Sequence, residues 1–97
     1  MEKLIKSVIE WGESKNITKP ENASKQLLKC VEEVGEVSGA YLKGEKDNLK
    51  LEIGDVLVTL ILFSKQNNLN IESCLDAAYN KIKNRKGKTV NGTFIKE

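Results

Sequence analysis

Leu51-Glu52-Ile53-Gly54-Asp55-Val56-Leu57-Val58-Thr59-Leu60-Ile61-Leu62-Phe63 is apolar at nearly every position, yet it carries two acids three residues apart. At about 100° per residue, Asn48, Glu52, Asp55 and Thr59 fall in one narrow stripe of a helix. Leu49, Leu51, Ile53, Val56, Leu57, Val58, Leu60, Ile61 and Phe63 take up almost everything else. A helix apolar almost all round belongs in an interior. Its two carboxylates are then partly withdrawn from water, and an unpaired buried carboxylate either destabilises by roughly several kcal/mol or takes up a proton. Something positive is needed beside them.

Working outward, helical spacing recurs on both sides of this segment. Leu4, Ile5, Val8, Ile9 and Trp11 mark a first helix over 2–15, weakened by Gly12. A second, over 21–43, starts just after Pro20, carries Leu27, Val31, Val34, Ser38 and Tyr41 on one stripe, and stops at a capping Gly44. The third spans 47–67. Asn70 is a good N-cap for a fourth over 71–86, through Ile71, Leu75, Ala78 and Ile82. Short connections between long helices favour antiparallel neighbours, so the expected class is all-α, an antiparallel four-helix bundle. The tail, 87–97, holds the Asn91-Gly92 signal of a tight turn and is expected to form a small hairpin or ordered loop.

With 97 residues the chain has room for one domain and a small core, and it is expected to lean on oligomerisation or a bound ion for stability. Sixteen Lys and Arg against fourteen Asp and Glu give +2, too even a balance to demand nucleic acid or a membrane as partner. Histidine is absent, which removes Ser-His-Asp and Cys-His catalysis, imidazole bases and His-ligated zinc. Cys30 and Cys74 are isolated in apolar stretches and read as buried free thiols of a reducing compartment. The first residues lack a signal-peptide core, and the apolar run from Val56 to Phe63 is far short of the roughly 20 residues a membrane span needs. The expectation is a soluble, cytoplasmic protein.

The acids outside the quoted stretch sharpen the argument. Glu32, Glu33 and Glu36 lie on the second helix, where oppositely charged residues three or four apart stabilise by about 0.2–0.5 kcal/mol and like pairs cost a similar amount. Only Lys29 is placed to serve Glu32 and Glu33. The spacings between Glu32 and Glu36, Glu33 and Glu36, and Glu52 and Asp55 are all repulsive. A divalent cation answers both problems, and all-oxygen ligands suit Mg²⁺ or Mn²⁺. Gly35, Gly39 and Gly54 interleave with the acids and suggest close packing of this helix pair around a shared site.

Glu32-Glu33-Val34-Gly35-Glu36, fifteen residues, then Glu52-Ile53-Gly54-Asp55 resembles the E-E-x-x-E, spacer, E-x-x-D signature of MazG-like nucleotide pyrophosphohydrolases. The resemblance covers the second and third helices, and more loosely the fourth and the tail. It implies an all-α fold completed as a homo-oligomer, dimer or tetramer, and Mg²⁺-dependent cleavage of nucleoside triphosphates between the α and β phosphates, in the service of nucleotide-pool sanitation. It further implies that Glu33, Glu36, Glu52 and Asp55 are the metal ligands. Glu32 and Glu33 are the two candidates for the catalytic base that orients the attacking water.

The phosphates need cations, and Lys81, Lys83, Arg85, Lys86 and Lys88 gather late in the chain, although basic residues in a last helical turn also simply complement the macrodipole. The resemblance maps a phosphate and sugar contact onto Asn80 and Lys83. Arg85, Lys86 and Lys29 are further substrate-binding candidates, with Lys43 and Lys88 behind them. Of the five aromatics, Trp11 is the candidate for stacking on the base. The rival from another class is a non-catalytic, homo-oligomeric helical interaction module whose acids hold a structural metal or face water. Nucleic-acid binding by Lys81–Lys88 is set aside, because no recognised binding motif accompanies the charge.

Overall fold

The structure is a computed structural model that describes every residue from Met1 to Glu97. Four helices, α1 (Glu2–Ser14), α2 (Ala23–Lys43), α3 (Lys46–Gln66) and α4 (Ile71–Ile82), are followed by a hairpin of β1 (Gly87–Val90) and β2 (Thr93–Lys96). None of the helices is long and apolar enough to cross a membrane. The all-α reading and the terminal hairpin both hold.

Each boundary has a local cause. A 3₁₀ turn at Pro20–Asn22 leads into α2, with the proline at a position whose missing N–H costs nothing. Gly44 ends α2 with a left-handed backbone, φ 71°, while its N–H donates to the Tyr41 carbonyl and that of Glu45 donates to Ala40. Asn70 Oδ1 accepts from the N–H groups of Glu72 and Ser73 at 2.8 and 3.2 Å, and so opens α4. Asn91 and Gly92, φ 51° and 81°, make the turn that sets Val90 opposite Thr93 and Gly87 opposite Lys96. The Phe94 ring lies over Gly87, where an added Cβ would sit 2.6 Å from its Cζ.

The core is an antiparallel α2–α3 pair with α1 laid against α3. Its apolar centre is Ile5, Cys30, Ala40, Ile61 and Leu62, and Leu62 is only 2% exposed. Gly12 lets α1 pack closely on α3, since a Cβ there would overlap the Leu62 side chain and lie 3.3 Å from Thr18 Cγ2. This glycine therefore packs the helix rather than merely weakening it. Gln66, buried, donates from Nε2 to the Ile17 carbonyl at 2.7 Å and pins the first connection to the end of α3.

Four expectations need correction. Helix α4 ends at Ile82 and not near residue 86, because the chain turns at Lys83–Asn84 and the Arg85 N–H closes back on Ile82 at 2.9 Å. Gly35, Gly39 and Gly54 have no atom within 4 Å of where a Cβ would stand, so they make no close helix approach inside one chain. Helix α3 is not enclosed by the chain, since Leu51, Ile53 and Leu57 are about half exposed or more. Cys30 is buried, but Cys74 is only partly so; both are free thiols.

Candidate active site

Helices α2 and α3 present their acids to each other. Carboxylate oxygens of Glu33, Glu36 and Glu52 all lie within 4.8 Å of one another. Glu33 is buried, Glu52 half-buried and Glu36 exposed, so the cluster runs from the interior to the surface. Asp55 stands one turn beyond Glu52 on the same stripe, exposed and outside that tight group. Glu32, on α2, is exposed and is not part of that group either.

The packing that produces this is visible on α2, where Gln26, Cys30, Glu33 and Ala40 share the face turned inward. Gln26 Nε2 donates to the carbonyl of Thr59 at 3.2 Å, and the Thr59 hydroxyl donates to Val56 at 2.7 Å. The first bond ties α2 to α3, about two turns from Glu33 and Glu52; the second is internal to α3. Gln26 was not singled out from the sequence. Its spacing of seven residues from Glu33, two helical turns on one face, is the signal that could have found it.

Electrostatics distinguish the three acids. Glu33 Oε1 is paired with Lys29 Nζ at 3.3 Å, and its hydrogen bond and charge raise the Lys29 ammonium above its ordinary value. Glu33 Oε2 and Glu52 Oε2 are buried without a hydrogen-bond partner. Such orphaned acceptors are uncommon, because each forgoes the water it gave up on folding. The Glu52 carboxyl is pushed up to about 7, first by its hydrogen bond with Glu36, then by withdrawal from water, and then by the charges of Glu36, Asp55 and Glu33. The group is short of positive charge. Its donors are all hard carboxylate oxygens carried on helices, a set that fits a divalent cation, and Glu33, Glu36 and Glu52 are the residues that would hold one.

The remaining sequence candidates lie elsewhere. Trp11, half exposed, lines a shallow cavity of about 310 Å³ with Ser7, Val8 and Val58. Asn80 sits on α4 with its Nδ2 donating to Asp76 Oδ2 at 3.2 Å. Lys83, Arg85, Lys86 and Lys88 are exposed around the end of α4 and the start of β1, and Lys43 is exposed in the last turn of α2. Ion pairs link Lys6 to Glu10 and Lys29 to Glu33; none of the cations after α4 takes part in one. Of these cations, Lys29 alone is ion-paired to the acid cluster.

A family model for the MazG nucleotide pyrophosphohydrolase domain matches residues 21–90. That interval contains the whole acid cluster, α4 and the first strand. The chain is also 33% identical over 70 residues, 72% of its length, to an uncharacterised 18.2 kDa protein from the rep-hol intergenic region of Haemophilus phage HP1. The match spans 43% of that phage protein, less than half its length. No solved structure matches the chain significantly. With the family match extending across most of the chain and over the helices that bear the converging acids, the chain belongs to the MazG nucleotide pyrophosphohydrolase family.

Proposed function

We propose that the chain is a Mg²⁺-dependent nucleoside triphosphate pyrophosphohydrolase, with Mn²⁺ as a substitute ion, that releases a nucleoside monophosphate and pyrophosphate. The observation that carries this reading is the convergence of Glu33, Glu36 and Glu52 with two buried carboxylate oxygens left unpartnered. Glu33, Glu36, Glu52 and Asp55 are the residues that would hold the ion. When bound, a divalent ion supplies Lewis-acid neutralisation of phosphate charge in the transition state.

The chain's own groups account for the rest. Lys29 holds Glu33 Oε1 and leaves Oε2 buried without a partner, which suits a ligand held in one rotamer. Glu32 is then the exposed carboxylate free to orient a water and take its proton as the new bond to phosphorus forms and the bridging α–β bond breaks. Lys83, Arg85 and Lys86 supply positive charge for the phosphates, and Trp11 offers a face for the base. Positioning and electrostatics provide most of the rate in such transfers. Sanitation of a cytoplasmic nucleotide pool is the role this activity fits.

The test is product analysis of the purified chain against ribo- and deoxyribonucleoside triphosphates, with Mg²⁺ and with excess chelator. Monophosphate plus pyrophosphate only in the presence of Mg²⁺ is the expected result. No turnover of any triphosphate by folded, metal-supplied protein would overturn the proposal. It would favour the interaction-module reading, which the half-exposed Leu51, Ile53 and Leu57 of α3 also suit.

A further inference from the structure

Two ion pairs in the chain join a lysine to the glutamate four residues on, and they differ in kind. Lys6 and Glu10 stand 3.9 Å apart with both side chains well exposed. Lys29 Nζ lies 3.3 Å from Glu33 Oε1, and there the glutamate side chain is 8% exposed against 58% for the lysine. As helix staples both pairs are in the weaker order, since a glutamate N-terminal to its lysine does better than the reverse. Lys29 is therefore better explained by what it does to a buried acid than by what it does for α2.

What it does is take one oxygen. Glu33 Oε1 is held by the ammonium, while Oε2 is buried and has no partner, so the most buried acid of the cluster has a single oxygen left to give. Divalent cations differ in how much they ask of such a residue. Mg²⁺ is small and near-octahedral at about 2.0–2.1 Å, keeps several waters and needs only one or two carboxylates. Ca²⁺ takes about six to eight oxygens at about 2.3–2.6 Å and fills that larger shell in part with carboxylates that grip through both atoms. A Glu33 restricted to one oxygen suits the first ion and under-supplies the second.

We propose that Lys29 sets the ion preference of the acid cluster: by occupying Oε1 it holds Glu33 to one-oxygen binding, and so favours Mg²⁺ and Mn²⁺ over Ca²⁺. This makes Lys29 a positioning residue and gives it a task other than holding phosphate. The inference rests on the cluster taking a divalent ion, as proposed above, and not on what that ion helps to cleave.

The test follows Mn²⁺ binding to the full chain by electron paramagnetic resonance, without nucleotide, and then displaces the Mn²⁺ with Mg²⁺ or with Ca²⁺. Wild type is expected to release it to Mg²⁺ at the lower concentration. Lys29→Met removes the ammonium from an exposed position and keeps an unbranched stem, and Lys29→Gln is a second neutral variant. Both lose a repelling charge, so both ions bind them more tightly; the ratio of the two affinities separates that general effect from the freeing of an oxygen. The ratio is expected to move toward Ca²⁺ by about tenfold or more in the neutral variants, and to stay at the wild-type value in Lys29→Arg. In infrared difference spectra of the Ca²⁺-loaded neutral variants, a carboxylate pair with narrowed antisymmetric–symmetric separation, the mark of two-oxygen binding, is expected where wild type has none. Equal tightening of both ions, or Lys29→Arg shifting as the neutral variants do, overturns the proposal. Failure of wild type to bind Mn²⁺ would sink the metal site and this role together. A ratio that shifts in a protein that cleaves no triphosphate would sink the hydrolase and leave the role of Lys29; a Mg²⁺-dependent hydrolase whose ion preference ignores Lys29 would do the reverse.

Discussion

Glu52 faces Glu36, Glu33 and Asp55 with one oxygen buried and unpartnered, and its carboxyl is accordingly raised from 4.5 to about 7. A group whose folded pKa lies above its unfolded value binds more protons when folded, so its contribution to stability is complete below the unfolded value and is lost as pH rises through the folded one. Metal-free protein is therefore expected to lose stability between about pH 4.5 and 7 from this residue, and thermal melts in chelator across that range check it. Mg²⁺ competes with the proton, so the stabilisation it confers should be larger at pH 8 than at pH 6; an equal shift at both would contradict the assignment of Glu52 as a ligand. Glu36→Gln removes one of the repelling charges from a surface position. Its expected effect is a loss of about a hundredfold or more in Mg²⁺-dependent pyrophosphate release, with a chelator-phase melting temperature equal to or above wild type. The charge conflict at these residues was legible in the sequence, because helical spacing alone fixes which acids share a face. The tight group of three, with Asp55 set apart from it, was not, because it depends on how α2 and α3 are rotated about their axes.

The helices test what packing adds to propensity. Alanine is favoured over glycine inside a helix by about 1 kcal/mol, yet Gly12→Ala is expected to destabilise by about 1–2 kcal/mol, since its Cβ would overlap Leu62. Denaturant unfolding gives the sign directly. Asn70→Ala removes the acceptor for two N–H groups at the start of α4 and should cost about 1 kcal/mol in the same experiment. Boundaries with a stereochemical cause were readable ahead of the structure: Pro20 before α2, Gly44 after it, Asn70 before α4 and Asn91-Gly92 in the hairpin. The end of α4 was not, because Lys83-Asn84-Arg85-Lys86 contains neither proline nor glycine and nothing local forbids another turn. The turn at Lys83–Asn84 ends it and leads into the hairpin, beside which the Glu97 N–H donates to the Lys86 carbonyl at 2.9 Å.

At the scale of the molecule, a radius of gyration of 15.8 Å exceeds the roughly 12.5 Å of a compact chain of this length, in keeping with a small core, an α4 that packs only on α3 and a hairpin that packs on no helix. Association should couple to folding, so the melting temperature is expected to rise with protein concentration; a constant value over a hundredfold dilution would mark the single copy as the stable unit. Chain length alone suggested a small core, but only the burial pattern separates the enclosed side chains from the uncovered ones. Helix α1 has a different standing from its neighbours. Helices α2 and α3 are joined through Gly44 and Glu45 and can pair early, whereas α1 is held through Gly12 against Leu62 and through Ile17 against Gln66, partners about fifty residues away. Its docking is therefore expected to follow the pairing of α2 with α3 during refolding. Trp11, the single tryptophan, rides on that segment beside Val58, so its emission is a clock for α1 docking that runs independently of the helical dichroism of the other three.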